Sequence, residues 1–235
     1  EALFLSRLYN YYSIMCGIAG STIKSKIHFA KYLKRMSHRG PDNTGINEID
    51  SLLLGHLRLS ILDLNDRSNQ PFFFKNLTIT YNGEIYNYKE IRKKLVRIGY
   101  KFLTQSDTEV VIKAWHAFGK KCINMFRGMW AFAIYDKTDK QLILSRDYFG
   151  IKPLYYCDLK GFEFASELKF FDLLAKNIDY KILNTYIITG KTNFSNQTFF
   201  KNVTSIQPGE ILVYSLTKKN IVSSEIVKPT DKYVS

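Results

Sequence analysis

A cysteine that directly follows a methionine stands near the start of this 235-residue sequence, in the stretch Met15-Cys16-Gly17-Ile18-Ala19-Gly20. If the mature chain begins at Cys16, this residue carries a thiol and an α-amino group side by side, with ordinary pKa values of about 8.5 and about 7.7. The amine can then take the thiol proton, directly or through a water molecule. A free cysteine is otherwise a small apolar core residue, so Met-Cys-Gly alone leaves both interpretations open.

Two further groups have residue types that suit substrate binding. Arg58 interrupts the apolar run from Leu52 to Leu64, where a buried guanidinium needs an anion. A protein carboxylate and a substrate carboxylate held by two parallel hydrogen bonds are equally compatible with the sequence. Asn82-Gly83 follows the alternating segment from Leu77 to Tyr81 and predicts a tight turn with positive φ at Gly83. Its functional interpretation is a side-chain amide and a backbone N–H that point at one substrate oxygen.

A third group of polar residues begins a helix. Ser106-Asp107-Thr108-Glu109 has the Ser-x-x-Glu spacing of a capping box, and Gly119 is placed to end that helix. Glu109 is thereby explained by capping. Asp107 is not needed for the box, although an acidic residue in the first turn of a helix is favourable in any case.

Alternating helical and β segments must position these groups. We expect a strand from Cys16 to Thr22 and a helix over 26–36, whose apolar spacing is Ile27, Ala30, Leu33 and Met36. Further helices are expected at 87–98, where Asn87 begins the helix and Ile91, Leu95 and Ile98 share one face, and at 107–118, 167–175 and 180–188.

Strands are predicted mainly in the middle of the chain. Short aromatic and aliphatic runs between residues 129 and 165, separated by turn residues, predict an antiparallel meander. A loop is expected over 192–199 and a turn and strand over 209–214, with no closing element after it. Sheets enclosed by helices follow from this order.

Composition narrows the class of protein. With 46% hydrophobic residues the chain can form a sizeable core, and its net charge of +13 comes from 34 Lys and Arg scattered along the sequence. Because no nucleic-acid-binding motif accompanies this charge, a solvated basic surface is favoured over a nucleic-acid partner.

Three cysteines are too few for a disulfide framework or a metal site and favour a reducing, cytoplasmic location. No apolar run reaches the ~18 residues of a membrane helix, so no membrane partner is expected.

Six ordered motifs together resemble the glutamine-hydrolysing asparagine synthetases. They are Met15-Cys16-Gly17-Ile18-Ala19-Gly20, His38-Arg39-Gly40-Pro41-Asp42, Leu57-Arg58-Leu59-Ser60-Ile61, Tyr81-Asn82-Gly83-Glu84-Ile85-Tyr86-Asn87, Ser106-Asp107-Thr108-Glu109 and the segment from Arg146 to Tyr156. The resemblance is to the N-terminal glutaminase half, a class II glutamine amidotransferase domain. It implies an α+β fold of N-terminal-nucleophile hydrolase type, a four-layer αββα sandwich with mostly antiparallel sheets.

The resemblance also implies catalytic roles. Cys16 would attack the side-chain amide of L-glutamine with its own α-amino group as base, while Asn82 and the Gly83 N–H would hold the oxyanion. The thioester would form with loss of ammonia and be hydrolysed to glutamate. Asparagine biosynthesis would then use the ammonia.

The same resemblance assigns substrate-binding residues. Arg58 would bind the α-carboxylate of glutamine, and Glu84 and Asp107 would bind its α-ammonium. The backbone of four consecutive residues would complete the pocket: Leu59, Ser60, Ile61 and Leu62. No metal is expected at this site.

The sequence divides into three parts under this interpretation. Residues 1–14 are an extension or leader, residues 15–190 are the amidotransferase domain, and residues 191–235 lead toward a synthetase domain that the sequence does not contain. That domain, supplied in cis or by a neighbouring chain, would bind ATP and magnesium, and no cofactor is expected in this chain. Because residues 1–14 block the α-amino group of Cys16, little activity is expected while they are attached. The alternative is a catalytically silent remnant that binds glutamine without turnover.

Overall fold

Two antiparallel sheets form the centre of the protein. The computed structural model describes residues 15–60, 62–171, 178–191 and 195–229, and within them each sheet has six strands. The strands are β1 (Gly17–Ser21), β2 (Asn43–Ile49), β3 (Leu52–Arg58), β4 (Phe72–Phe74), β5 (Leu77–Ile85), β6 (Gly128–Asp136), β7 (Gln141–Arg146), β8 (Tyr155–Cys157), β9 (Glu163–Ala165), β10 (Val203–Ser205), β11 (Glu210–Ser215) and β12 (Asn220–Ile226). The first sheet has the order β10-β8-β9-β1-β3-β2 and the second β12-β11-β7-β6-β5-β4.

Helices cover the outer faces of the two sheets. The described residues contain four α-helices: α1 (Lys26–Lys34), α2 (Tyr88–Arg97), α3 (Asp107–Phe118) and α4 (Tyr180–Thr189). Three short 3-10 helices accompany them at Asp66–Ser68, Gly119–Met125 and Leu168–Phe170. One buried apolar cluster joins α2 and α3 to the second sheet, another joins α1 to the first sheet, and a third lies between the sheets. This order of layers confirms the predicted α+β, αββα architecture.

Strand β6 shows how the sequence fills both sides of a sheet. Its alternate residues Trp130 and Phe132 belong to the cluster under α2 and α3, whereas Ala131 and Ala133 belong to the cluster between the sheets. Successive side chains on a strand point to opposite faces, so the large residues fill the helix-facing layer. The alanines on the other face allow the first sheet to approach closely.

The predicted meander between residues 129 and 165 is divided between the two sheets. Strands β6 and β7 form a hairpin in the second sheet, and β8 and β9 form a hairpin in the first. The chain crosses from one sheet to the other between Arg146 and Tyr155. Because turn signals look the same in both cases, the sequence alone did not reveal this crossing.

The predicted turn at Asn82-Gly83 is wrong. Strand β5 runs through both residues, with Asn82 opposite Ala131 and Gly83 opposite Trp130. Gly83 does not have the positive φ that the turn required. Glycine is needed there for space, since a Cβ atom would lie 2.4 Å from the Met129 carbonyl oxygen and 2.6 Å from the Tyr81 ring.

Helix α1 forms as predicted, but only the second half of its predicted apolar face is buried. Phe29 and Leu33 are buried, together with Met36 beyond the helix end, whereas Ile27 is 82% exposed. Ala30 is exposed as well. The choice is made by the partner surface, because Phe29 and Leu33 pack on Gly55 of β3, where a larger residue would collide with both side chains.

In α2 and α3, some of the predicted capping and buried residues are confirmed and others are not. In α3 the Ser106 hydroxyl accepts from the Glu109 N–H, and Gly119 ends the helix at φ +54°, as predicted. The predicted capping box is only half formed, because the Ser106 N–H donates to the Thr104 hydroxyl and the Glu109 carboxylate bonds Leu103, Thr104 and Lys113 instead. Asn87 precedes α2, but its side chain bonds the Met125 carbonyl and the Arg127 N–H instead of capping the helix. In α2, Ile91 and Leu95 are buried as expected, but Ile98, which follows the last helical residue, is exposed.

Two expectations are corrected toward the C-terminal end. The helix predicted at 167–175 is only the 3-10 turn Leu168–Phe170 before residues 172–177, which lie outside the described residues. After residue 190, β10 joins the first sheet, and β11 and β12 extend the second. The two sheets therefore continue past the predicted domain boundary at residue 190. Strand β12 was not predicted from the sequence. The expected leader at 1–14 lies outside the described residues. Within them, no helix is long and apolar enough to cross a membrane.

Candidate active site

A cavity lies where β1 begins, β3 ends and β5 passes opposite them. Eight of the predicted site residues line it: Cys16, Arg58, Leu59, Leu62, Asn82, Gly83, Glu84 and Asp107. Ser60 does not line the cavity, and its N–H donates to the Asp42 carboxylate at 2.7 Å. Ile61 lies outside the described residues. Residues that are far apart in sequence therefore meet at one place.

Cys16 is held by backbone contacts at the start of β1. Its Sγ accepts from the Leu59 N–H at 3.3 Å and lies 3.5 Å from the Leu59 carbonyl oxygen. Burial raises the pKa of the Cys16 thiol, against the Leu59 N–H and the charges of Lys152, Arg39 and Arg58, which lower it. The thiol therefore needs a base before it can act as a nucleophile.

Arg39 anchors the carbonyl of Cys16, a role that the sequence did not predict. Its Nε donates to the Cys16 carbonyl oxygen at 3.0 Å, and its Nη1 donates to Glu167 at 3.0 Å. His38 lies 2.9 Å from the same Glu167 oxygen. The signal was present in His38-Arg39-Gly40-Pro41-Asp42, where Gly40 is also needed because a Cβ would lie 2.3 Å from the Leu57 backbone.

Arg58 is buried without a carboxylate partner among the described residues. It is 5% exposed and donates to the Asn69 side chain at 2.7 Å, the Asn65 carbonyl at 3.1 Å and the Asp63 carbonyl. All three acceptors are neutral. Removing a charge from water is costly unless an opposite charge compensates it, so this guanidinium favours an anion in the cavity.

Three buried polar atoms that line the cavity have no hydrogen-bond partner among the described residues. They are His56 Nδ1, Ser68 Oγ and Asn82 Nδ2. Burial lowers the pKa of His56 to about 3, so the ring is neutral, and since Nε2 donates to the Tyr81 carbonyl at 3.1 Å, Nδ1 is an acceptor. Buried polar atoms in proteins are nearly always paired. Three unpaired atoms in one cavity indicate a polar ligand.

The edge of β5 presents a row of backbone N–H groups. Since N–H groups at every second residue of a strand point the same way, Tyr81, Gly83 and Ile85 share this edge. The Tyr81 N–H donates to Gln70 Oε1 at 2.6 Å and the Ile85 N–H to Asp107 Oδ2 at 3.0 Å. Strand β4 pairs only with residues 77–79. The Gly83 N–H therefore points into the cavity between these two, beside the Asn82 amide.

Asp107 is fixed at the opposite wall. Its Oδ2 accepts from the Tyr81 hydroxyl at 2.8 Å as well as from the Ile85 N–H. Burial raises the pKa of the Asp107 carboxyl, against these two hydrogen bonds, which lower it. Glu84 lines the same cavity and is half-buried. Two carboxylates and one guanidinium thus line the cavity.

Lys152 lines the cavity, although no role in the site was predicted for it from the sequence. It is 4% exposed, and its Nζ lies 2.6 Å from Met15 Sδ. Its backbone is held on both sides, since its N–H donates to Asp147 Oδ2 at 2.9 Å and its carbonyl accepts from Arg146 Nε at 2.8 Å. The motif from Arg146 to Tyr156 includes this lysine, but the resemblance assigned it no role.

No group of three or more metal-ligating side chains occurs in the part of the chain that the structure describes. The groups that the cavity does present are the Cys16 thiol, the Asn82 amide, backbone N–H groups and side chains of both charges. Such a set can bind a zwitterion and stabilise an oxyanion that forms at a carbonyl or amide.

Comparisons with known proteins identify a family and several relatives of this chain. The glutamine amidotransferase domain family matches residues 15–225. The sequence is 35% identical over 241 residues to the putative asparagine synthetase [glutamine-hydrolyzing] 2 of Methanocaldococcus jannaschii, covering 88% of this chain and 45% of that protein. It is 38% identical over 187 residues to asparagine synthetase [glutamine-hydrolyzing] 1 of Bacillus subtilis, covering 74% of this chain and 29% of that protein. The chain thus spans less than half the length of these curated relatives.

A solved structure matches the fold. Glutamine phosphoribosylpyrophosphate amidotransferase from Bacillus subtilis superposes with a TM-score of 0.64 at 21% sequence identity, over 90% of this chain and 49% of that one. At this identity the similarity concerns the fold alone. It agrees with the predicted αββα sandwich.

Proposed function

This chain belongs to the glutamine amidotransferase domain family, and on that premise we propose that its cavity hydrolyses the side-chain amide of L-glutamine to glutamate and ammonia. One observation carries the proposal. The cavity brings the Cys16 thiol together with the uncompensated charge of Arg58 and the unpaired amide of Asn82. Each of these groups has a complement in glutamine: the scissile amide carbon, the α-carboxylate and the amide oxygen.

Substrate binding rests on charges at the cavity wall. Arg58 binds the α-carboxylate, because a carboxylate supplies the anion that the described residues do not supply. Glu84 and Asp107 bind the α-ammonium group. The positive charge of the substrate also favours the ionised form of Asp107, which burial alone disfavours. With its α-carbon held at this end, glutamine extends its amide toward Cys16.

The chemical step uses Cys16 and the edge of β5. The α-amino group of Cys16 takes the thiol proton, and Sγ attacks the amide carbon. Negative charge develops on the amide oxygen, where Asn82 Nδ2 and the Gly83 N–H donate hydrogen bonds. The amine returns the proton to the leaving nitrogen, ammonia departs, and water hydrolyses the thioester to glutamate. The active form must therefore begin at Cys16, because an amide nitrogen at this position is not basic.

The use of the ammonia is proposed from the relatives. The similar proteins of Methanocaldococcus jannaschii and Bacillus subtilis are named asparagine synthetases, so we propose that ammonia passes to an ATP-dependent asparagine-forming domain, supplied in cis or by a neighbouring chain. ATP and magnesium would bind in that domain. The steps of glutamine hydrolysis at Cys16 themselves require no cofactor.

The test uses protein that begins at Cys16, with glutamate release measured at several glutamine concentrations. We expect turnover in this protein and none in Cys16→Ala, while glutamine binding to Cys16→Ala, measured by calorimetry, persists. Cys157→Ala serves as the matched control, since Cys157 lies in β8 away from the cavity. Binding without turnover in the Cys16 protein would instead establish the silent alternative, and absence of both would reject the proposed substrate.

A further inference from the structure

Lys152, which has no carboxylate at salt-bridge distance among the described residues, places its ammonium group beside the residue that precedes the nucleophile. Its Nζ lies against Met15 Sδ, and Met15 is joined directly to Cys16. Cys16, Met15 and Lys152 all line the same cavity. In the active form proposed above, Met15 is absent. Removal of Met15 therefore takes this contact away from the ammonium.

The backbone of Lys152 is held on both sides by buried groups, and the residue is 4% exposed. Asp147 is fully buried, and its two carboxylate oxygens accept from four backbone N–H groups: those of Trp130, Phe149, Ile151 and Lys152. The hydrogen bonds of the Asp147 carboxylate are therefore made with the backbone and not with the Lys152 ammonium. Arg146 closes the loop from the other side through the Lys152 and Gly150 carbonyls, at 2.8 and 2.6 Å.

The charges that surround Lys152 leave it uncompensated. No carboxylate of the described residues lies at salt-bridge distance from Nζ, and its charged neighbours are Arg39, Asp147 and Glu84 together with the Cys16 thiol. Arg39 differs, because Glu167 pairs with it at 3.0 Å. Burial and Arg39 lower the pKa of the Lys152 ammonium, against Cys16, Asp147 and Glu84, which raise it, so Lys152 and Cys16 act on each other's charge.

We infer that Lys152 is a positioning residue of the glutaminase site whose ammonium keeps the α-amino group of Cys16 neutral and stabilises the Cys16 thiolate. The inference rests on the proposed function, because it assigns the α-amino group as the base. Two ammonium groups in one buried cavity repel each other, so the α-amino group releases its proton at lower pH than an ordinary N-terminus. The same field favours the thiolate that remains after the proton moves from Sγ to the amine. The amine then remains a free base at neutral pH, as general-base catalysis requires.

The test compares Lys152→Met, which removes the charge at similar length, with Lys152→Arg, which keeps it. Both are made in protein that begins at Cys16, with Lys120→Met as control, since the Lys120 side chain is 64% exposed in a surface ion pair with Glu225. For Lys152→Met we expect the acid limb of the pH profile of kcat/KM to move up by about one pH unit. Lys152→Arg and Lys120→Met should keep the limb of the parent protein.

A second readout does not depend on turnover. Iodoacetamide alkylation of Cys16, followed by mass spectrometry over a range of pH, reports the thiolate directly. We expect its midpoint to rise by about one pH unit in Lys152→Met and to stay in place in Lys152→Arg. An equal loss of rate at every pH, with an unshifted alkylation midpoint, overturns the inference and leaves Lys152 a structural residue.

The two hypotheses fail in different ways. If the parent protein shows the alkylation shift on Lys152→Met but releases no glutamate, the proposed function fails and the effect of Lys152 on Cys16 stands. If the parent protein hydrolyses glutamine and Lys152→Met keeps both profiles, only the inference about Lys152 fails. Should Lys152→Met lose its circular dichroism signal, Lys152→Gln replaces it as the neutral variant. A folded Lys152→Arg with a shifted alkylation midpoint also contradicts the role of charge.

Discussion

The first turn of α3 carries two buried carboxylates, Asp107 and Glu109, that face different surroundings. Glu109 accepts from the Leu103 and Thr104 N–H groups and the Thr104 hydroxyl, and it pairs with Lys113 at 2.5 Å. Asp107, two residues earlier, faces the cavity and accepts on Oδ2 from Tyr81 and Ile85.

Their pKa values respond in opposite directions. Burial alone would raise the pKa of Glu109, but the Lys113 ammonium and the N–H groups of Leu103 and Thr104 hold it below its usual range. Burial raises the pKa of Asp107, because its hydrogen bonds compensate it only in part. The partners, not the depth of burial, therefore separate a carboxylate that stabilises the fold from one that is available to a ligand.

The same contrast divides the buried cations. Lys113 is 3% exposed, pairs with Glu109 and lies over the rings of Phe74 and Phe102 at 4.8 and 4.5 Å. Arg58 and Lys152 are as deeply buried but have no carboxylate at salt-bridge distance among the described residues. Substitution of Glu109 or Lys113, whose charges are paired, should therefore lower the stability of the fold. Substitution of the unpaired charged groups in the cavity should instead impair glutamine hydrolysis.

The largest expected effect is on stability. Glu109→Ala should lower the free energy of unfolding by about 3–5 kcal/mol, because it leaves the buried Lys113 without a partner. Urea unfolding measures this change. Glutamine affinity should be unchanged. Adding Lys113→Met to the same variant removes the stranded charge, and failure of this double variant to recover stability would contradict the ion-pair explanation.

Arg58→Ala should act in the opposite way. Loss of a charge-assisted pair with the substrate carboxylate should weaken glutamine binding by about 2–5 kcal/mol. Calorimetry in the Cys16→Ala background measures the affinity without turnover. Arg67→Ala is the matched control, since Arg67 lies in the nearby 3-10 helix Asp66–Ser68 with a side chain that is 51% exposed. If Arg58→Ala binds glutamine normally, Arg58 is not part of the binding site.

Asn82→Ala should separate chemistry from binding. Removal of an oxyanion donor should raise the activation barrier by about 2.7–4 kcal/mol with little change in affinity, because the charge on the amide oxygen develops only during the reaction. Steady-state kinetics and calorimetry give the two quantities. Asn76→Ala, in the turn that precedes β5, should leave both unchanged. Equal losses of binding and turnover would show that Asn82 supports the strand only.

Ser68→Ala should produce a smaller change. The Ser68 hydroxyl is buried at the cavity without a partner among the described residues, so a substrate hydrogen bond of about 0.5–1.5 kcal/mol would be lost. The value of KM for glutamine should rise a few-fold, with the free energy of unfolding unchanged. A clear loss of stability without a change in KM would place this hydroxyl in the fold instead of the site.

The smallest expected effect is a difference in the slope of stability with pH. Since the folded pKa of Glu109 lies below its unfolded value, its contribution is present above the unfolded pKa and is lost as pH falls through the folded pKa. Asp107 has a raised folded pKa, so its contribution is present below the unfolded pKa and is lost as pH rises through the folded pKa.

Asp107→Asn should therefore gain stability relative to the parent protein as pH rises from acid to neutral. Glu109→Gln should lose relative stability over the same range. Urea unfolding at a series of pH values gives both slopes. Parallel slopes in the two variants would contradict the assignment of opposite shifts.

The sequence by itself determined the local features and the identity of most site residues. The cap at Ser106, the end of α3 at Gly119 and helix α4 depend on interactions between residues a few positions apart, which a linear pattern contains. The ordered motifs predicted Cys16, Arg58, Asn82 and Asp107 as one site, and the structure places them in one cavity. Their catalytic roles stay predictions until the variants are measured.

Only the tertiary structure decided where distant segments pair. Asn82-Gly83 has the chemistry of a turn, but its pairing with Ala131 and Trp130 extends the strand, because ladder contacts along β6 override a two-residue preference. The surroundings of Arg58 and the approach of Lys152 to Met15, 137 positions away, are likewise long-range contacts. Whether a buried charge is compensated depends on which segments fold against it, and local pattern carries no information about that choice.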